Sequence, residues 1–143
     1  MDELQILGFN GEHRWLSNFQ AAPVRLDGVE YPSVENAYQA AKRPLNDRQA
    51  FRTCSAAEAK KLNKGYEVPN QFHEQKEQIM QNLVQQKFQI AGLRARLVAT
   101  GNATIVEDNW WGDRFWGVCK GMGENRLGKI IMQIRNEIKK EKG

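Results

Sequence analysis

This chain has little of what marks several common protein classes. It carries only two cysteines in 143 residues, Cys54 and Cys119. They are far apart and show no paired Cys/His spacing. That argues against a structural disulfide, a zinc site or any other metal cofactor, and it fits a reducing cytoplasm. No apolar run approaches the roughly 20 residues that span a bilayer, so no membrane segment is expected. The opening Met-Asp-Glu-Leu lacks the basic-then-apolar layout of a secretory leader. No Gly-Lys-Ser/Thr closes a phosphate loop, and no regular βαβ unit frames a dinucleotide fingerprint. Linkers, internal repeats and low-complexity tracts are also missing. The expectation is one domain over residues 1–143, long enough to bury a real core.

The net charge of +4 is modest. Much of it lies late in the chain, on Lys129, Arg135, Lys139, Lys140 and Lys142, where it complements a helix dipole. Lys60, Lys61, Lys64, Arg94 and Arg96 are scattered. This charge permits a polyanionic partner and does not demand one.

What is present is concentrated between Asp113 and Gly128: Asp113-Arg-Phe-Trp116-Gly117, a spacer, then Gly121-Met-Gly123-Glu-Asn125-Arg-Leu-Gly128. Beyond it, Leu127, Ile130, Ile131, Ile134 and Ile138 repeat at helical spacing. Asn125 is the expected N-cap, its side-chain oxygen accepting a free N–H of the first turn. Glycines ahead of a helix let backbone N–H groups converge on an anion. They also serve as plain turn residues, and Trp116 suits a core as well as a ligand.

Elsewhere the pattern predicts strands at Gln5–Phe9, Val24–Leu26 and Val29–Tyr31, the last two joined by an Asp27-Gly28 hairpin turn. Helices are predicted at about Val34–Arg43, Asp47–Thr53, Ala56–Leu62, Phe72–Phe88 and Ala91–Thr100, with a returning strand at Thr104–Glu107. The sum is an α+β fold, helix-rich, with a small, mainly antiparallel sheet.

Two further segments carry chemistry. In Tyr31-Pro-Ser33-Val-Glu35-Asn-Ala-Tyr38-Gln39-Ala-Ala-Lys42, Ser33 caps a helix. Glu35, Tyr38, Gln39 and Lys42 then share one stripe, while Val34, Ala37 and Ala41 face the core. A solvated helix face gives the same pattern. Asn18 in Trp15-Leu-Ser-Asn18-Phe19 suits a turn, and Phe19 suits either stacking on a planar ligand or plugging the core.

In order and spacing these segments, with Lys76-Glu-Gln-Ile-Met80, Phe88 and Ile105-Val-Glu107, resemble the NADAR superfamily, also called the YbiA-like family. The resemblance covers nearly the whole chain. It implies a compact α+β fold and an enzyme that hydrolyses an N-glycosidic bond at ribose C1. Family members are associated with ADP-ribose attached to guanine in nucleic acid, and with ribosylamino-pyrimidine phosphates of riboflavin biosynthesis. The substrate expected first is the ADP-ribosylated base in DNA or RNA, with Arg94, Arg96, Lys120 and Arg126 available to hold the strand. The pyrimidine is the alternative, and a non-catalytic ADP-ribose or NAD reader is the third reading.

The family's functional acids map to Glu35 and Asp113, which would stabilise an oxocarbenium ion and move protons. Lys42 offers a second chemistry, a Schiff base to the opened sugar. Asn18, Phe19, Tyr38, Gln39, Phe72, Trp116 and Gly117 would hold the substrate, with phosphate near Gly121, Gly123 and Asn125. Phe72 stands where many relatives carry tryptophan; it keeps the stacking surface and loses the indole donor. Cys119, His13 and His73 rank lower as nucleophile or base.

Overall fold

A computed structural model describes residues 4–142, so the opening Met-Asp-Glu lies outside the described residues. The element order is β1 (Gln5–Leu7), β2 (Val24–Leu26), β3 (Val29–Tyr31), α1 (Val34–Ala40), α2 (Ala56–Leu62), α3 (Asn70–Lys87), α4 (Ala91–Ala99), β4 (Thr104–Val106), β5 (Asp108–Asn109), β6 (Val118–Cys119) and α5 (Arg126–Lys142). Among the described residues, five α-helices and six very short strands make a helix-rich α+β fold. The described chain packs as two units, one of residues 18–87 and one of 4–17 with 88–142.

The unit 18–87 is organised around α1. Asp27 and Gly28 take φ of 50° and 80°, the left-handed pair of a tight hairpin turn, so β2 and β3 pair antiparallel, Val24 opposite Tyr31. The open edge of β2 is covered by α3. Gln86 Oε1 accepts from Arg25 N at 2.7 Å, and Gln86 Nε2 donates to Arg25 O at 2.9 Å. Ser33 caps α1 as expected, its Oγ accepting from Asn36 N at 3.1 Å. Asn36 Nδ2 then donates to Phe51 O and Cys54 O, both at 2.9 Å, tying the helix to the segment behind it. Helices α2 and α3 pack on α1, and Val34, Ala37, Ala40, Met80, Leu83 and Val84 are buried.

In the other unit β1 pairs with β4 in parallel, Ile6 beside Ile105, and α5 packs on β4. Leu127, Ile131, Ile134 and Ile138 are buried as the periodicity requires, with Trp15, Leu97 and Phe88, while Ile130 is half-buried at the edge of the stripe. Trp15 meets Phe88 edge-on at 6.3 Å between centroids.

Three expectations are corrected. There is no single, mainly antiparallel sheet: the described strands form three two-stranded ladders, and two of them, β1–β4 and β5–β6, are parallel. Long connections free those pairs from hairpin geometry. The helix expected over 47–53 is two 3₁₀ turns, Leu45–Asp47 and Gln49–Arg52, because Arg48 Nε donates to Arg43 O at 2.8 Å and folds the segment back. The helix expected to reach Arg43 ends at Ala40, where Lys42 N and Arg43 N turn back to Gln39 O and Ala40 O in i→i−3 bonds. No described helix is long and apolar enough to cross a membrane.

Candidate active site

The sequence-predicted residues fall into two groups, one in each unit. In the unit 18–87, all seven residues of α1 are buried, Glu35 and Gln39 included. Glu35 lies in the first helical turn, where the dipole favours an acid, and its N–H donates to Asn18 O at 3.1 Å. A buried charge must be paired, and Gln39 Nε2 donates to Glu35 Oε2 at 2.6 Å. Gln39 Oε1 accepts in turn from Asn63 Nδ2 at 2.8 Å.

Lys42 is half-buried just beyond the helix. Its Nζ lies 5.4 Å from the centroid of Tyr38 and 5.8 Å from that of Phe72, within cation–π range. Those two rings meet edge-on at 5.3 Å. Burial pulls the Lys42 amine below its ordinary pKa, the Glu35 carboxylate pulls it back up, and Lys60 and Lys76 lower it further. Glu35, Gln39, Tyr38, Phe72 and Lys42 thus form one cluster, with the acid and the amine in each other's field. Asn18 adds an acceptor: its Nδ2 donates to Met80 Sδ at 3.4 Å, while its Oδ1 is buried with no hydrogen-bond partner. Phe19 is largely exposed.

The second group is the chain from Glu107 to Gly128. Asp113 Oδ1 accepts from Phe115 N at 3.0 Å and Trp116 N at 2.9 Å, an Asx turn that fixes the carboxylate. Asn109 staples this loop, its Oδ1 accepting from Asp113 N at 3.1 Å and its Nδ2 donating to Asp113 O at 2.8 Å. Trp116 is half-buried and meets Phe115 edge-on at 4.8 Å.

The glycines here serve chain crossings. A Cβ on Gly117 would strike the Glu107 carbonyl and carboxylate, and one on Gly123 would strike the Gly117 carbonyl. Gly121 takes φ of 76°. The N–H groups of Glu124, Asn125, Arg126 and Leu127 donate to the carbonyls of Arg114, Gly117, Phe115 and Trp116. Those are the donors an anion at this helix start would use, so the turn reading accounts for the loop. Asn125 is no side-chain cap either. Its Oδ1 accepts from Glu107 N at 3.0 Å and its Nδ2 donates to Ile105 O at 2.9 Å, because φ of 50° aims the amide at the end of β4.

Of the lower-ranked candidates, His13 lies in the 3₁₀ turn Gly11–Leu16, Cys119 is buried in β6, and His73 packs edge-on against Phe72 at 5.8 Å. Among the described residues, no three His, Cys, Asp or Glu side chains gather as metal ligands. Two residues escaped the sequence reading. Asn63 closes α2 and reads only as a helix end, and Asn109 reads only as a turn residue. Nothing in their spacing signals a buried amide.

Comparison with known proteins identifies the family and the fold. The model of the NADAR domain family matches residues 8–139. N-glycosidase YbiA of Escherichia coli is 35% identical over 136 residues, covering 88% of this chain and 82% of that protein. A riboflavin biosynthesis protein of Vibrio vulnificus is 32% identical over 134 residues, which are 88% of this chain and 36% of that protein. An N-glycosidase of Nostoc punctiforme is 31% identical over 141 residues. The NMR structure of E. coli YbiA superposes with a TM-score of 0.85 at 32% identity, covering 99% of this chain and 89% of that one.

Proposed function

The chain belongs to the NADAR domain family, and we propose that it is an enzyme, an N-glycosidase that hydrolyses the C1–N bond of a ribose joined to a base. The observation that carries this is the buried Glu35 beside Lys42, walled by Tyr38 and Phe72. Bond breaking builds positive charge on the ribose, which a desolvated carboxylate stabilises more strongly than water does. Glu35 also has the chemistry to take a proton from the water that adds to C1, while the departing base gains one. Asn18, Tyr38, Gln39 and Phe72 are proposed to hold sugar and base. Asp113 is proposed as a further acid, on a carboxylate oriented by its own loop.

The substrate we propose is ADP-ribose on guanine in nucleic acid. An aromatic and cationic surface supports it. Parallel pairing of Asn109 with Cys119 brings Trp110 and Lys120 out at the same end of the β5–β6 ladder. There Trp110 is 86% exposed, and Arg114 Nε donates to Cys119 O at 3.4 Å. Exposed aromatics among cations suit stacking of unpaired bases. The second substrate is a ribosylamino-pyrimidine phosphate, in keeping with a Vibrio relative named for riboflavin biosynthesis, of which this chain matches 36%.

Lys42 supports a second route. The amine adds to C1 of the opened sugar, the base leaves as its amine, and water then releases the sugar and restores the lysine.

The test offers purified protein a guanine-ADP-ribosylated oligonucleotide and a ribosylamino-pyrimidine phosphate in parallel, each followed for base and sugar release. Release from the first alone supports our proposal, and from the second alone the metabolite reading. Glu35→Gln is expected to lower kcat by about 100-fold or more. Near-normal turnover in that variant would refute the assignment, and binding of either substrate without release would make the protein a reader.

A further inference from the structure

Four side chains of the unit 18–87 form a hydrogen-bonded line that ends on Glu35. Arg43 Nε donates to Asn63 Oδ1 at 2.7 Å, Asn63 Nδ2 to Gln39 Oε1 at 2.8 Å, and Gln39 Nε2 to Glu35 Oε2 at 2.6 Å. Asn63, Gln39 and Glu35 are buried, so water does not stand in for a missing partner.

Groups that only donate or only accept set the direction of this line. A guanidinium donates and never accepts, so Arg43 takes the oxygen of Asn63. The Asn63 nitrogen then faces Gln39, where the Gln39 carbonyl, which only accepts, holds it at 2.9 Å. Gln39 answers with its oxygen and turns its nitrogen toward the Glu35 carboxylate, again an acceptor. Arg43 and the Gln39 carbonyl thus fix Asn63 from two sides. Arg43 is itself fixed, with Nη1 on Asp47 Oδ2 at 2.8 Å, Nη2 on Leu62 O at 3.0 Å, and its guanidinium 3.9 Å from the Tyr66 centroid.

We propose that Arg43 and Asn63 are positioning residues: they lock the Gln39 amide with its nitrogen toward Glu35, and so hold Oε2 as an acceptor during the reaction. The proposal rests on the catalytic role given to Glu35 above. A reversed amide would set the Gln39 oxygen against the carboxylate and favour its protonated form.

The test is a carboxyl-carbon NMR titration of Glu35 in uniformly labelled protein, assigned by loss of the signal in Glu35→Gln. Three variants separate polarity from charge and packing. Asn63→Leu keeps most of the volume and removes the donor to Gln39 without adding a charge. Arg43→Gln and Arg43→Met both lose the positive charge and the stacking on Tyr66, but glutamine can offer Asn63 a donor or an acceptor and methionine offers no donor. The other charges facing this cluster, Lys42 beyond α1, Lys60 from α2 and Lys76 from α3, are the same in all of them.

The Glu35 midpoint is expected to rise by about half a unit or more in Asn63→Leu, and by about 0.3 unit more in Arg43→Gln than in Arg43→Met. An unchanged midpoint in Asn63→Leu overturns the proposal, and so do equal shifts in the two Arg43 variants. Thermal unfolding reports whether each variant folds; if Asn63→Leu does not, the Arg43 pair decides alone. The titration needs no substrate. Midpoints that follow the line while Glu35→Gln remains active would therefore refute the catalytic reading and leave the positioning intact.

Discussion

Lys87 gives the most quantitative prediction. It lies in the last turn of α3 and is fully buried. Burial lowers its amine from the ordinary 10.5 to about 7. In the unfolded chain the same amine keeps a value near 10.4. Between pH 7 and pH 10.5 the unfolded state therefore binds one more proton than the folded one, and stability rises with pH across that window. The contribution is fully present above about 10.5 and is lost as pH falls toward 7. A gap of about 3.5 units at about 1.4 kcal/mol each sets its full size at about 5 kcal/mol, with a slope near 1.4 kcal/mol per pH unit.

Lys87→Met keeps most of the stem's packing and removes the titration. Urea unfolding of both proteins at half-unit steps from pH 6.5 to 10 isolates the effect, because every other group, Lys42 included, cancels in the difference. The variant is expected to be more stable at pH 7 by about 2–4 kcal/mol, with the lost bonds of the ammonium offsetting part of the gain. The two curves should converge as pH rises. Parallel curves would refute the reasoning, since they would mean that Lys87 carries the same charge folded and unfolded.

Other outcomes follow from the two site groups. Borohydride added during turnover is expected to leave no sugar adduct on Lys42 if water attacks directly, whereas an adduct mapped to Lys42 by mass spectrometry establishes the Schiff-base route. Lys42→Arg then loses that route entirely but keeps the positive charge over Tyr38 and Phe72. Gly128→Ala forces a Cβ into the Ile105 carbonyl and the Asn125 amide, and should cost about 3 kcal/mol or prevent folding, read by thermal unfolding. Gly112, whose Cβ would meet nothing, carries only the penalty of its φ of 89°, about 1–2 kcal/mol for alanine there.

Much of the fold was legible because local rules and packing agree. Helix α2 has the bounds its pattern predicts because Ser55 and Glu58 form a reciprocal cap at 3.1 Å each way. The Asp27-Gly28 turn and the α5 stripe were legible for the same reason. The β5–β6 ladder was not, since two residues paired in parallel across a loop leave no periodic trace. In the site, the stripe of Glu35, Tyr38, Gln39 and Lys42 was readable as a helix face, although solvent exposure would have produced it equally well. What placed it inside was packing from α2 and α3, which no local rule encodes. Asn63 was out of reach because its role depends on Gln39, 24 residues earlier.

Asn125 shows how buried amides can be told apart by what they bond. In the line from Arg43, amides bond other side chains as well as the Gln39 carbonyl, and the line ends on a carboxylate, so its removal alters the chemistry of an acid. Asn125 instead bonds only backbone, at Glu107 N and Ile105 O, and joins the end of β4 to the start of α5. Asn125→Ala leaves a buried donor and a buried acceptor unmet, each costing about 1–3 kcal/mol, so a loss of about 3 kcal/mol is expected once partial relaxation is allowed. Chemical unfolding measures it, and initial rates at several substrate concentrations supply the contrast. A clamp lowers the midpoint and leaves KM within about twofold. A residue that binds the substrate's phosphate raises KM by tenfold or more with little change in stability, the size expected for one charge-assisted hydrogen bond. The second pattern would return the glycine-rich loop to the binding site, against the inward course of its N–H groups.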